Sequence, residues 1–457
     1  MILLYNATLV TADREDIGAV LIDGETISKV YWKDAEGWTE SEGRKIPFES
    51  IPDQHADAQC IDLAGKHIIA GGIDAHVHFR EPGLTHKADI STESRAAIAG
   101  GVTTVFDMPN TSPATVSAEA LAGKIRLAEG RSLAKIGFHL GASNSNVEEV
   151  CRIVREGDDA SGLRPGDIPG VKVFMGSSTG NMLVDDGSSL ERLFAIKEKP
   201  VLVHCEDEAI IRANMAAATE KFGEDIPFEQ HEFIRSRQAC IRSSIKALEL
   251  AMKHGTKLVL CHISTKEELN MVRAAKAINP SIIAETSCNY LWFSDEDYNR
   301  LGSKVKCNPS VKTPDDRQAL REGLASGLID TIGSDHAPHL LSEKAAPYAK
   351  APSGLPSIQQ SLPVLLTVAK QDDIPLSRIA AVFSENAAKL YGLDRGRIAA
   401  GMKADLVVFD YQTEFTVKAE DQYSKCGWTP YEGEKLFGRI ETVYTNGQIV
   451  LENGRVK

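Results

Sequence analysis

With 457 residues, 42% of them hydrophobic and 25% charged, the chain has ample material for a large core domain and a smaller companion, the pattern of an ordinary globular protein. Its net charge of −13 argues against a nucleic-acid backbone as the main ligand, so an anionic ligand has to be met by isolated cationic side chains. The eight cysteines are scattered without a C-x-x-C pair, there is no signal-peptide pattern and no window of about 18 apolar residues, so a reducing cytoplasm is expected and a membrane span is not.

The N-terminal stretch reads as short strands: Ile2 to Thr8, then Ala19 to Ile22 and Ile27 to Tyr31 around the turn Asp23-Gly24. Residues 33–59 are polar and acidic and read as a loop-rich surface insertion. Strand-like runs then alternate with helical patterns. The runs are Ile68 to His78, Val102 to Asn110, Lys135 to Ala142, Val171 to Ser177, Val201 to Glu206, Lys257 to Ser264, Ile282 to Asn289 and Leu328 to His339. Helical periodicity falls between them, for example over Lys87 to Ala99, Ala118 to Leu127, Leu190 to Lys197, Ser236 to Lys253, Lys266 to Ile278 and Pro314 to Ser326. Near-continuous apolar strands separated by helices indicate parallel βαβ units, and eight is the number that closes a (β/α)8 barrel; the alternative on pattern alone, a doubly wound open sheet, is disfavoured by where the polar residues fall. The far end returns to strands at Ala404 to Phe409, Glu414 to Val417, Arg439 to Thr445 and Gln448 to Glu452, with Asn446-Gly447 as a tight turn. The expected architecture is α/β: a barrel over residues 67–394, beside a small composite β domain of residues 1–66 and 395–457.

Polar residues fall at the ends of the apolar runs: His76, His78, Asn110, Lys172, His204, His262, Asn289 and Asp335. In a barrel these ends converge on one face, where the active site is built. His76 and His78 alternate on one strand face and can reach one metal ion. With His204 and His262 they make four imidazoles, enough for two divalent cations if anionic ligands join them. Lys172 supplies an anion if its neutral amine reacts with carbon dioxide to give a carbamate; otherwise it is a lysine reaching solvent from a strand end. Asp335 fits a terminal metal ligand that takes a proton from water, or a turn cap before Pro338. Of His336 and His339, one is expected to face the ligand. Arg80, two residues beyond His78, and Asn110 suit a planar carboxylate. Cys205 and Cys261, each next to a histidine, are expected to face away as small packing residues.

The motifs DAHVHFREPG, DMPNTSP, VHCED, CHIST, CNPSVK and SDHAPH resemble, in this order, those of the amidohydrolase superfamily and, within it, the dihydroorotases. The resemblance covers His67 to Gly354, and the β-rich flanks fit that family's composite small domain. It implies one metal on His76, His78 and Asp335, a second on His204 and His262, and carboxylated Lys172 bridging them, with zinc the usual ion. It further implies that Arg80, Asn110 and His339 hold a substrate carboxylate, that Asn308 contacts a pyrimidine ring, and that the enzyme is a homodimer.

The activity implied is closure of N-carbamoyl-L-aspartate to (S)-dihydroorotate and its reverse, a step of pyrimidine synthesis, with Asp335 as the catalytic proton carrier. The chain departs from the family in three places, one of them the insertion at residues 33–59, to which no function is assigned. Val171-Lys-Val-Phe-Met-Gly resembles hydantoinases and dihydropyrimidinases rather than bacterial-type dihydroorotases, and Thr286-Ser-Cys-Asn-Tyr replaces a Thr-Pro-His-His segment. A hydantoinase or dihydropyrimidinase is therefore the alternative within the class, and a catalytically silent structural homologue the alternative outside it. Arg80 favours dihydroorotate, since allantoinases carry asparagine at that step and hydantoinases lack the R-E-P-G run.

Overall fold

A computed structural model of the chain describes residues 1–34, 37–41, 43–46, 51–176 and 182–457. The central region alternates parallel strands and helices. Its strands are β1 (Gly72–Val77), β2 (Val102–Asp107), β3 in two pieces (Lys135–Phe138 and Leu140–Gly141), β4 (Val171–Phe174), β5 (Val201–His204), β6 (Leu258–Leu260), β7 (Ile283–Thr286) and β8 (Thr331–Ile332). One parallel arc joins β1, β2 and the first piece of β3, and the other runs from the second piece of β3 to β8. Beyond β8, His336 forms a parallel bridge to Val77, and its carbonyl accepts from His78 N–H at 2.8 Å.

Both faces of these strands are covered, which is why they read as apolar runs rather than as an alternation. On β4, β5 and β6, Val171, Val173, Val201, Val203, Leu258 and Leu260 join the main core. The opposite parity puts Leu202, Val259 and Cys261 in a separate cluster with Met108 on the inner face. Helices stand close to their expected spans, including Ile90–Ala99, Ala118–Ala128, Arg237–His254, Lys266–Lys276 and Pro314–Ala325. The helix after His262 is started by a reciprocal cap between Thr265 and Glu268, which fixes where the chain leaves β6. Among the described residues no helix is long and apolar enough to cross a membrane.

Strands from the two chain ends share one sheet. Ile2–Val10 pairs with Glu15–Asp23 and, in parallel, with His67–Ala70, which in turn pairs antiparallel with Leu406–Thr416. The single strand expected over Ile68 to His78 is therefore two strands in two sheets. They part at Gly71, where a Cβ would sit 2.2 Å from Thr103 Oγ1. The stretch 33–59 also differs from a plain loop. Gly37–Glu40 and Lys45–Ile46 extend the sheet, and Trp38, Ile46 and Ile51 pack on Leu3, Leu21 and Tyr31. Residues 35, 36, 42 and 47–50 of that stretch lie outside the described residues, as does Ser177 at the end of the expected fourth run. Asn289 is not at a strand end. It lies in the helix Cys288–Trp292, where its amide donates to Ser334 O and accepts from Tyr431 Oη.

Candidate active site

The ends of β1, β5 and β6 and the turn after β8 bring His76, His78, His204, His262 and Asp335 together. Ring centroids lie 5.6 Å apart for His76 and His78, 5.2 Å for His76 and His262, and 4.8 Å for His204 and His262. His262 should point outward by strict alternation, because Cys261 before it points in. Its left-handed backbone, φ 38°, turns the ring onto the same face. Asp335 (φ 50°) and Arg80 (φ 64°) share this uncommon conformation, so three non-glycine residues of one site carry local backbone strain.

The proton positions indicate what the cluster is built to hold. His76 Nδ1 donates to Glu285 Oε1 at 2.7 Å, His78 Nδ1 to Asn110 Oδ1 at 2.7 Å, and His204 Nε2 to Glu206 Oε2 at 3.0 Å. Each ring is thus held from behind, leaving the other nitrogen as a lone pair facing inward. These lone pairs meet other acceptors: His78 Nε2 lies 3.0 Å and His76 Nε2 3.5 Å from Asp335 Oδ1, and His204 Nδ1 lies 2.9 Å from His262 Nε2. Burial pushes His76, His204 and His262 down from the usual imidazole range, so the rings stay neutral. Burial pushes the Asp335 carboxyl up, and only protonated His76, His78 or His262 would pull it back below the usual carboxylate range, so with neutral rings the carboxylate needs a cation beside it. A set of neutral imidazoles and a carboxylate with opposed lone pairs fits divalent cations. His76, His78 and Asp335 place one ligand atom each within 4.8 Å of one another.

Lys172 is fully buried, with Nζ 3.2 Å from Cys261 Sγ, so it does not reach solvent. Its Nζ faces His76 and His204 and helps to lower both imidazoles. Cys261, expected to be a packing residue, instead turns its sulfur to the inner face beside His76 and Glu285. Cys205 packs behind its strand as expected. Sequence reasoning also missed Glu285, Glu206 and Asp74. Asp74 accepts from the backbone N–H groups of His76 and Ser334, tying β1 to the turn that carries Asp335. The available signal was an acid at an inward position of an otherwise apolar strand.

A cavity of about 230 Å³ opens above the imidazoles, lined by His78, Arg80, Asn110, Arg235, Asn308, Asp335, Ala337 and Pro352 to Gly354. Arg80 donates through Nε to Pro338 O at 3.0 Å, and its Nη2 lies 2.9 Å from His339 Nε2. Burial lowers the Arg80 pKa to about 10, which leaves it a cation at neutral pH. Asn308 Oδ1 is buried with no hydrogen-bond partner among the described residues. His336 turns away, bonding Glu93 at 2.7 Å, whereas His339 is buried against Arg80 and Ser353, two residues that line the cavity.

The model of the amidohydrolase family matches residues 67–450. The chain belongs to the amidohydrolase family. Among relatives in this family, the protein named dihydroorotase from Methanosarcina acetivorans is 35% identical over 413 residues, 86% of this chain and 85% of that one. The dihydroorotase of Clostridium acetobutylicum is 30% identical over 99% of this chain and all of its own. Of solved amidohydrolase structures, the L-hydantoinase (dihydropyrimidinase) from Arthrobacter aurescens aligns over 100% of this chain and 97% of its own, with a TM-score of 0.88 and 25% identity. The family expected from the motifs is the family found.

Proposed function

We propose that this chain is a dihydroorotase, closing N-carbamoyl-L-aspartate to (S)-dihydroorotate and reopening it. The observation that carries the reading is the buried Arg80 guanidinium beside His339 on the cavity wall, within one cavity of His78 and Asp335. A cation there meets a substrate carboxylate, which hydantoin and dihydrouracil lack. The curated relatives named dihydroorotase, at 30–35% identity over most of the chain, support it.

In this reading His76, His78 and Asp335 would hold one divalent cation and His204 and His262 a second, with zinc the ion the nitrogen-rich donor set suits, and a carboxylated Lys172 would add anionic oxygens for both. When bound, such ions supply Lewis acidity, making water nucleophilic near neutral pH and polarising an amide carbonyl. The rest falls to the chain. Arg80, Asn110 and His339 hold the carboxylate, and Asn308 Oδ1 accepts from the ring. Asp335 takes the proton of the attacking water and delivers it to the departing ring nitrogen; cyclisation reverses these steps with loss of water.

The two parallel arcs and the Val77–His336 bridge support a (β/α)8 barrel over residues 67–394, with the shared terminal sheet as a domain of residues 1–66 and 395–457. A cytoplasmic homodimer acting in pyrimidine synthesis completes the proposal. The hydantoinase or dihydropyrimidinase alternative is favoured by the fold likeness to the Arthrobacter enzyme. Assay of metal-loaded protein on dihydroorotate, carbamoyl aspartate, hydantoin, dihydrouracil and allantoin side by side decides between them. Faster turnover of hydantoin or dihydrouracil rejects the dihydroorotase reading, and turnover of none rejects the enzyme. Unmodified Lys172 in a metal-replete crystal structure removes the carbamate.

A further inference from the structure

Lys87 lies in the turn between Arg80 and the helix Ile90–Ala99, and its side chain is 13% exposed. Its ammonium sits 3.0 Å from His339 Nδ1 and 3.0 Å from Glu343 Oε1. At the other edge of the same ring, Nε2 lies 2.9 Å from Arg80 Nη2 and 3.1 Å from Ser353 O. Burial, then Arg80 and Lys87, push His339 far below the usual imidazole range, so the ring is neutral.

A neutral imidazole has one donor and one acceptor nitrogen, whereas charged lysine and arginine only donate. Two cations on the two nitrogens cannot both be hydrogen bonded to the ring. The Ser353 carbonyl only accepts, which assigns the proton to Nε2. Nδ1 then accepts from Lys87. The approach of Arg80 to His339 is therefore donor against donor, unfavourable alone and relieved by an anionic oxygen that accepts from Arg80.

We propose that Lys87 is a positioning residue: it fixes His339 as the Nε2–H tautomer, which donates to Ser353 O and offers Arg80 no acceptor, so that Arg80 keeps its Nη2 donors for a carboxylate. The carboxylate assignment rests on the dihydroorotase reading; the tautomer assignment does not. Removing the Lys87 ammonium frees the alternative. Glu343 Oε2, 3.8 Å from His339 Nδ1, becomes the acceptor for an Nδ1 proton, and Nε2 accepts from Arg80. Arg80 is then engaged with the ring instead of the substrate.

The test is ¹⁵N-imidazole NMR of the full-length protein, with the His339 signals identified by their loss in His339→Asn, combined with steady-state kinetics. Wild type and Lys87→Arg are expected to show the Nε2–H form, and Lys87→Met the Nδ1–H form. In Lys87→Met the KM for dihydroorotate is expected to rise about tenfold, with kcat changed by less than about threefold, the pattern of lost ground-state binding. Lys87→Arg restores a KM near that of wild type. An Nε2–H tautomer in Lys87→Met overturns the proposal whatever the enzyme acts on, and so does an unchanged KM in a variant whose tautomer has flipped. Wild-type protein inactive on dihydroorotate defeats the substrate reading instead, and the spectra, which need no substrate, still decide the role of Lys87.

Discussion

His204 and His262 face each other nitrogen to nitrogen, Nδ1 to Nε2, at 2.9 Å, with the far edge of His204 anchored on buried Glu206. Two lone pairs so placed share a proton or hold a cation. Replacing His262 by asparagine, a residue that tolerates the left-handed backbone at φ 38°, removes one ligand without disturbing the turn. Bound metal measured by elemental analysis is expected to fall from two ions per chain to one, and kcat by roughly 10²–10³-fold or more. Two ions retained at full affinity would place the second ion elsewhere.

The substrate carboxylate gives a second prediction. Arg80 also has a left-handed backbone, φ 64°, so Arg80→Asn keeps the fold while removing the guanidinium. Losing one partner of a buried charged pair costs about 2–5 kcal/mol, so kcat/KM for dihydroorotate should drop by roughly 30- to 5,000-fold. Metal content should stay at the wild-type level. Intact turnover of dihydroorotate in this variant would remove the acidic-substrate argument.

These two sites show what the sequence could and could not reveal. His76, His78, His204 and Asp335 were legible because each ends an apolar run, and parity or position then assigns the face. His262 was found by its position at a strand end, although the parity rule alone sends it outward; only the positive φ reconciles it with an inward Cys261. The same rule led to Cys261 being read as packing. Glu285 and Lys87 were not found, because their roles come from contacts across 209 and 252 residues of chain, which no local pattern records. The fold was legible where helix and strand periods alternate. It was misread at Gly71, where the break between sheets is set by the approach of Thr103 rather than by a local turn signal.

The cavity wall at Pro352 to Gly354 is tied down by two buried lysines. Lys344 donates to the carbonyls of Lys306, Pro352 and Gly354 at 3.2, 2.9 and 3.1 Å, and Lys306 to those of Tyr348 and Ala351 at 2.7 and 2.6 Å. Burial lowers the Lys344 pKa to about 7, and Lys344→Met keeps the length of the side chain while leaving three carbonyls short of an amine donor. The expected loss of stability is about 2–3 kcal/mol, since a buried acceptor left without its donor keeps its desolvation cost. Limited proteolysis should cut between residues 345 and 351 sooner than in wild type, and the KM for dihydroorotate should rise. Unchanged cleavage would mean that other contacts hold the wall.

The last prediction concerns acid. His139 is fully buried behind the strand that leads to His76 and His78, and its Nε2 donates to Ala75 O, between Asp74 and His76, at 2.9 Å. Burial lowers its pKa to about 3, while in the unfolded chain it titrates near the ordinary value of about 6.5. Between these values the unfolded chain binds a proton that the folded chain refuses. The contribution is therefore fully present above about pH 6.5 and lost as the pH falls toward 3, amounting to about 2 kcal/mol at pH 5. In His139→Gln the amide still donates to Ala75 O, but nothing titrates there. Denaturant midpoints of chelator-treated protein at pH 7.5 and pH 5 should shift less in the variant than in wild type, and equal shifts would show that His139 is already protonated in the fold. Because the other buried histidines titrate in both proteins, the difference between the two shifts isolates the ring that backs His76.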